Sequence, residues 1–266
     1  KKIKENSSIQ LAYSGGIDSS CLLDILLKLK KKLKFKLFLT YMNYQTSEYS
    51  LNVLNYINKE ISDEVVKIVQ NTNIESSYNF ESEARKRRYS FFNKSSKKYN
   101  IDYTFTAHHL NDQIETLTMK FIDGCDFISM QGIRKKINNI YRPMLKIRKS
   151  EIIDYVNKNK IIYFEDPTNA DFSFLRNKIR NIVIPTICKN PFLYSKIKEL
   201  HNAGILKVGR IGKTINKELE DTVIQYSTNP NFLSLSLSKI KNYDILYFKL
   251  YFKLIMKTYF QEDQYD

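Results

Sequence analysis

The apolar positions in the first half of the chain switch repeatedly between two periods. Residues 9–13 (Ile-Gln-Leu-Ala-Tyr) form a short apolar run that stops at Ser14-Gly15-Gly16, the pattern of a buried strand entering a turn. From 19 to 33 the apolar residues Cys21, Leu22, Leu23, Ile25, Leu26, Leu29 and Leu33 fall at helical spacing. The alternation continues with a strand over Phe35–Met42, a helix over 47–60 and a strand over Glu64–Val69. A long charged helix over 79–99, a strand over Asp102–Ala107 and a helix over 110–123 follow. Strands alternating with helices predict βαβ units, and so an α/β domain with an open, mostly parallel sheet and helices on both faces.

Past Gly124 the pattern loosens. Asn138–Tyr141 predicts one more strand, ending at Arg142-Pro143, and helices are expected at 149–159 and 173–189. Pro185 and Pro191 bracket a break. Residues 192–266 read as mostly helical, without alternating strands. The expected division is an α/β domain over 1–188 and a small helical domain over 189–266. No apolar run approaches the roughly 20 residues of a membrane-spanning helix, so no membrane association is expected. Lys1–Asn6 leads into the first strand without a signal-peptide core. Cys21, Cys125 and Cys188 are widely scattered, which suits a reducing compartment and offers no disulfide framework or CxxC clip. The expected location is the cytoplasm.

Charge adds a partner to this picture. The net charge is +15, and residues 1–185 hold 31 basic and 20 acidic residues against 12 and 8 beyond them. Most of the excess thus lies in the α/β part. Two readings stand level on charge alone: a polyanionic partner, with nucleic acid leading, or a lysine-rich composition without function.

The candidate chemistry begins at Ser14-Gly15-Gly16-Ile17-Asp18-Ser19, between the first strand and the first helix. In open parallel sheets, ligands bind at the carboxyl ends of strands. Adjacent glycines allow positive φ and close approach of backbone N–H groups to phosphate oxygens, and the helix N-terminus adds partial positive charge. Ser14 and Ser19 supply hydroxyls. Asp18 would repel phosphate, so its natural role is to hold Mg²⁺, which neutralises a triphosphate. A serine-capped turn is the plain alternative. Four of the six positions nevertheless have the types this chemistry needs, in a chain with 7 glycines. ATP is the expected nucleotide. A second glycine-rich stretch, Gly204–Thr214, fails the Walker A spacing in both registers and reads as a basic surface loop that could touch RNA.

The Ser-Gly-Gly-x-Asp-Ser loop resembles that of the PP-loop ATP pyrophosphatases, which cleave ATP to AMP and pyrophosphate. Three further motifs resemble tRNA(Ile)-lysidine synthases. In Asn79-Phe-Glu-Ser-Glu-Ala-Arg-Lys-Arg-Arg-Tyr89, Glu81/Arg85 and Glu83/Arg87 are i,i+4 pairs. The likeness of Ala84–Tyr89 implies that Arg85 reaches the triphosphate, with Arg88 nearby on tRNA or phosphate. Ala107-His-His-Leu-Asn-Asp-Gln-Ile-Glu-Thr116 places Asp112 and Glu115 three apart on one helix side. The resemblance implies that both acids recognise the substrate lysine and that His108 belongs to the ATP site. Glu165-Asp-Pro-Thr-Asn169 with Arg176-Asn-Lys-Ile-Arg180 offers a basic helical face for tRNA backbone. Arg142-Pro143-Met144-Leu145 resembles the family's Arg-Pro-Leu-Leu.

Together these stretches cover residues 11–185 in the family's order. They imply a PP-loop, adenine nucleotide α-hydrolase-like (Rossmann-like) fold and a ligase acting on tRNA(Ile) with anticodon CAU. Such a ligase forms lysidine from L-lysine with ATP and Mg²⁺ through an adenylated tRNA. The implied roles are Asp18, Arg85, Asp112 and Glu115 in catalysis; Ser14, Gly15, Gly16, Asp18, Ser19, Arg85 and His108 on ATP; and Arg88, Arg176 and Arg180 on phosphate. Homodimerisation stays open. One departure stands out: where the family carries His-x-x-His at the end of the second strand, this chain has Tyr41-Met-Asn-Tyr44. Tyr41, Tyr44 and Tyr89 are candidates for stacking on a base. The rival readings are a PP-loop tRNA thiolase, an amidating ligase for a small acid, and an RNA-binding homologue without catalysis.

Overall fold

The computed structural model describes residues 3–44, 48–72, 80–123, 132–172, 175–228 and 231–236, with single positions beyond. It forms two compact units: residues 1–113 with 134–177, and residues 114–133 with 178–266. The division is therefore discontinuous, not a single boundary at 188/189, because the stretch from Ile114 groups with the later residues.

The first unit is built on a sheet in the order β3-β2-β1-β4-β6-β5. Its strands are β1 (Ser8–Tyr13), β2 (Lys36–Asn43), β3 (Val66–Asn71), β4 (Tyr103–Phe105), β5 (Lys136–Ile137) and β6 (Ile140–Tyr141). β1 pairs in parallel with both β2 and β4, and only the β5–β6 edge hairpin is antiparallel. β1 is the apolar run read from the sequence. Ile9, Leu11 and Tyr13 point to one face and pack with Leu22, Leu23 and Leu26 of α1 (Ile17–Leu33), Val53 and Ile57 of α2 (Glu48–Lys59), and Ile152 and Val156 of α5 (Lys149–Asn159). Each fully buried Leu or Ile stabilises by about 1.5–3 kcal/mol. Ala12 and Met42 face the other side, against Phe91 and Phe92 of α3 (Phe80–Lys98). Helices thus cover both faces, as the period-2 and period-3.6 stretches require.

Strand order fixes where a ligand can sit. The chain moves outward from β1 to β2 and β3, then returns to the other side of β1 with β4. The β1/β4 junction is therefore the topological switch point, and the turns leaving those two strands open a crevice there. These are the Ser14–Asp18 loop and the Ala107–His109 segment that starts α4 (Leu110–Ile122).

Three expectations for the later residues change. A single helix over 173–189 is in fact α6 (Leu175–Lys178), a π turn (Ile179–Val183) and α7 (Ile184–Lys189). Pro185 has no N–H to give residue 181, and the ladder widens just before it: Ile184 N–H bonds to the Ile179 carbonyl, five residues back. The segment after Pro191 begins with a long helix, as expected, but also holds strands. α8 (Pro191–Thr222) is followed by an antiparallel pair, β7 (Val223–Thr228) and β8 (Asn231–Leu235). Val223, Ile224, Tyr226 and Thr228 are strand formers, and Ser236 N–H closes the pair onto the Thr222 carbonyl at 2.9 Å. The Gly204–Thr214 stretch lies inside α8 and is not a loop, since helix propagation over 32 residues outweighs a glycine penalty of about 1 kcal/mol each.

Candidate active site

Gly15 is the residue that shapes the loop. Its φ is +87°, and a Cβ built there would lie 2.4 and 2.9 Å from the two γ carbons of Val53. α2 therefore packs directly on the loop backbone. Tyr49 of the same helix donates its hydroxyl to the Ser14 carbonyl at 2.8 Å, and Phe164 N–H donates to the Gly15 carbonyl at 2.9 Å. The second contact sets Glu165–Asn169 beside the loop. Gly16 departs from the expectation of two positive-φ glycines: it is extended, with φ −73°, and caps α1 without a side-chain cap. The Ser19 hydroxyl turns back to the Gly16 carbonyl at 2.9 Å, and the Ser14 and Ser19 hydroxyls lie 3.1 Å apart. A tight turn delivers the first N–H groups of a 17-residue helix to the crevice, a ready anion site.

Asp18, in the first turn of that helix, accepts a hydrogen bond from Lys149 Nζ at 2.6 Å, and His109 Nε2 lies 3.5 Å from the same oxygen. Burial alone would raise its carboxyl; the hydrogen bond and charge of His109, with the Lys149 ammonium, outweigh this and hold it below the ordinary carboxylate value. His109 Nε2 also lies 3.6 Å from Asp112 Oδ2, which accepts the His109 backbone N–H at 2.8 Å. Asp112 thus caps α4, and one imidazole stands between the two acids. Asn111 Oδ1 accepts Lys149 N–H at 3.1 Å, tying α4 to α5. Among the described residues no cluster of three or more His, Cys, Asp or Glu encloses a metal. Hard carboxylate oxygens at the loop fit a Mg²⁺ held by one or two acids plus phosphates.

His108 and its surroundings form the positive side of the site. Thr106 Oγ1 and His108 Nδ1 are 2.8 Å apart. Burial first, then the charges of Arg142, Arg85, Arg176 and Arg88, hold the His108 imidazole well below its ordinary value, so it is neutral at physiological pH. Tyr89 ties two of these arginines together: the Arg85 guanidinium lies 5.2 Å over its ring, and its hydroxyl accepts from Arg142 at 3.2 Å. Arg142, 2% exposed, also donates to the Arg134 carbonyl at 2.6 Å, and its buried Nε has no hydrogen-bond partner among the described residues. Of the four, Arg142 is buried and Arg88 exposed.

Other expectations change. Glu115, 1% exposed, is gripped by both arms of Arg180 at 2.8 and 2.9 Å. The acid expected on lysine and the arginine expected on phosphate are therefore partners of each other. Tyr41 and Tyr89 are buried and offer no face for a base. Tyr41 donates to the Ser50 carbonyl at 3.3 Å, and burial pushes its hydroxyl up to about 12. Tyr44 donates to the Ala84 carbonyl at 3.2 Å and so docks α3 on β2. Glu83 pairs with Arg87 at 2.9 Å, while the Glu81 side chain and Cys125 lie outside the described residues. His109, Arg142 and Lys149 are the site residues that sequence reasoning missed. His109 stood in plain view beside His108, and Arg142 in the Arg-Pro motif, whereas Lys149 carries no local signal.

A glycine-shaped turn at the switch point of a mostly parallel α/β sheet, flanked by acids and arginines, defines a domain of the Rossmann-like class. Residues 1–187 match the family model of the PP-loop domain. The chain belongs to the PP-loop ATP-binding family. It is similar to the tRNA(Ile)-lysidine synthase of Thermosipho africanus, 31% identical over 77% of this chain and 48% of the relative. The enzyme of the same name from Enterococcus faecalis is 30% identical over 82% and 49%, and that of Mycoplasma mycoides 33% over 96% and 63%. The chain spans about half the length of the first two. Among solved structures, the U34-tRNA thiolase NcsA from Methanococcus maripaludis shares the fold, with TM-score 0.63 and 19% identity over 76% of this chain and 72% of that one. No described helix is long and apolar enough to cross a membrane.

Proposed function

We propose that this chain attaches L-lysine to carbon 2 of the wobble cytidine in a tRNA(Ile) with anticodon CAU, using ATP. The observation that carries this reading is the linked set Asp18–His109–Asp112 across the β1/β4 switch point. It couples a phosphate loop to an acid able to receive an ammonium group, and lysidine synthases are among the relatives. The Ser14–Ser19 loop and the α1 N-terminus hold the triphosphate. Arg85 and Arg142, with neutral His108, stabilise the pyrophosphate that leaves as the cytidine oxygen attacks the α-phosphorus. Mg²⁺, when bound at Asp18, neutralises triphosphate charge. Asp112 positions the lysine amine, which displaces AMP at carbon 2 after losing a proton. Arg88 and Arg176 contact tRNA phosphates. Glu115 holds Arg180 in place for the same purpose, an assignment its bidentate pairing favours over amine binding. Wobble bases in an anticodon loop are reachable without opening a duplex.

The test incubates the protein with ATP, Mg²⁺, radiolabelled lysine and the CAU-anticodon tRNA. Wild type transfers label to tRNA, and Asp112→Ala does not. Absence of label transfer by wild type, or undiminished transfer by Asp112→Ala, overturns the assignment. Pyrophosphate release driven by a small acid without tRNA points to the amidating ligase instead.

A further inference from the structure

Three helices begin around one carboxylate. Asp18 lies in the first turn of α1, His109 immediately precedes α4, and Lys149 is the first residue of α5. Of the charged groups there, Lys149 has no role in the scheme above, yet it makes the shortest contact, 2.6 Å to Asp18 Oδ1. Its backbone is fixed. Lys149 N–H is held by Asn111, Arg148 N–H by the Glu151 carboxylate at 2.8 Å, and the Ile147 carbonyl by Leu110 N–H at 2.9 Å. The four-carbon stem beyond that anchor is free to turn. Both side chains stay about a third exposed, 31% and 30%, so water and ions reach the pair.

We infer that Lys149 is the resident counter-cation of Asp18: it occupies the carboxylate until metal-bound nucleotide arrives, then turns its ammonium onto the triphosphate. The inference rests on the ATP reading of the loop. Two cations cannot share Asp18 Oδ1 at contact distance without strong repulsion. A divalent ion on Asp18 therefore displaces the ammonium, and the nearest place for that ammonium is the phosphate crevice at the head of α1. The lysine acts as a positioning residue with opposite effects on two ligands. It weakens binding of free metal to Asp18, and it strengthens binding of the metal–nucleotide complex.

Manganese affinity, read from the electron paramagnetic resonance signal of free Mn²⁺ without nucleotide, measures the first effect. Binding of MgATP to the same proteins measures the second. Lys149→Met is expected to bind Mn²⁺ about tenfold tighter than wild type, about 1.4 kcal/mol, and MgATP roughly tenfold more weakly. Lys149→Arg is expected to resemble wild type in both, and adding Asp18→Asn to Lys149→Met removes the Mn²⁺ gain. In turnover, KM for ATP rises more than kcat falls. A structural role in docking α5 would weaken both ligands together. Should Lys149→Met fail to fold, Lys149→Gln carries the same expectation. Unchanged or weaker Mn²⁺ binding by the folded variant overturns the inference. Loss of label transfer to tRNA in wild type overturns the proposed function instead, and leaves the metal result standing.

Discussion

Replacing Gly15 by alanine tests whether the loop is shaped as described. The new Cβ enters at φ +87° and meets Val53 Cγ2 at 2.4 Å and Cγ1 at 2.9 Å. A left-handed conformation costs a non-glycine residue about 1–2 kcal/mol, and overpacking a filled core about 1–3 kcal/mol more. Val53 is fully buried and cannot swing away, so Gly15→Ala should destabilise the first unit by about 2–5 kcal/mol. Pairing it with Val53→Ala separates the two causes. Truncation removes both γ carbons and leaves Val53 Cβ at 3.2 Å, which a small shift accommodates. The double variant should then show favourable coupling of about 1–3 kcal/mol, with the left-handed penalty remaining. Urea unfolding followed by far-ultraviolet circular dichroism measures this, since the chain has no tryptophan. Gly16→Ala is the control: its nearest neighbour is Ser14 Oγ at 3.6 Å, so stability should change by less than about 0.5 kcal/mol. Wild-type stability in Gly15→Ala, or strict additivity with Val53→Ala, would refute this account of the loop.

Two further outcomes follow from the charged groups. Arg180→Met withdraws a bidentate partner from a carboxylate that is 1% exposed, so unfolding should become easier by about 2–4 kcal/mol; Glu115→Gln, which leaves no buried charge, should cost less, and equal losses would contradict a buried ion pair. The second concerns pH. His108 has its folded value below the ordinary 6.5, through burial and then the four arginines. Its contribution to stability is full above pH 6.5 and drains as the pH falls toward the folded value, where the unfolded chain takes up a proton that the native one refuses. Melting temperatures from pH 7.5 to 5.5 should fall less steeply in His108→Asn than in wild type, and parallel slopes would contradict the reading.

The α/β part was legible because each strand and helix declares itself over a handful of neighbouring residues. Leu11 and Ile9 alternate with Gln10, and Leu22, Leu26 and Leu29 recur at helical spacing. β7 and β8 were not, because two short strands after a 32-residue helix lack a second periodic partner in sequence. The site divides along the same line. Gly15, Asp18, His108 and Asp112 lie in contiguous motifs whose residue types state their chemistry. The Asp18–Lys149 pair joins residues 131 apart, and Glu115–Arg180 residues 65 apart; nothing local announces either. Tyr41 and Tyr44 mislead for a related reason. A tyrosine reads as a stacking face in sequence, but burial turns Tyr41 into core and gives both hydroxyls to backbone carbonyls.

The arrangement around His108 is hard to explain as stabilising structure. Four guanidiniums bear on one imidazole, and like charges gathered round one group repel. Arg142 compounds this, being 2% exposed with a buried Nε that no acceptor among the described residues reaches, and its other bonds go to a carbonyl and a phenol. Native interiors rarely tolerate an unsatisfied charged donor, and such violations concentrate at functional sites. A phosphate group beside Arg142 would supply the acceptor its Nε lacks and offset the repulsion among the guanidiniums. The same argument applied to acids gives the opposite conclusion. Asp18 and Glu115 are each already matched to a cation within their own unit. Among the described arginines of the site, Arg142 thus carries the unmatched donor, which supports the proposed reading that an anionic group is bound beside it.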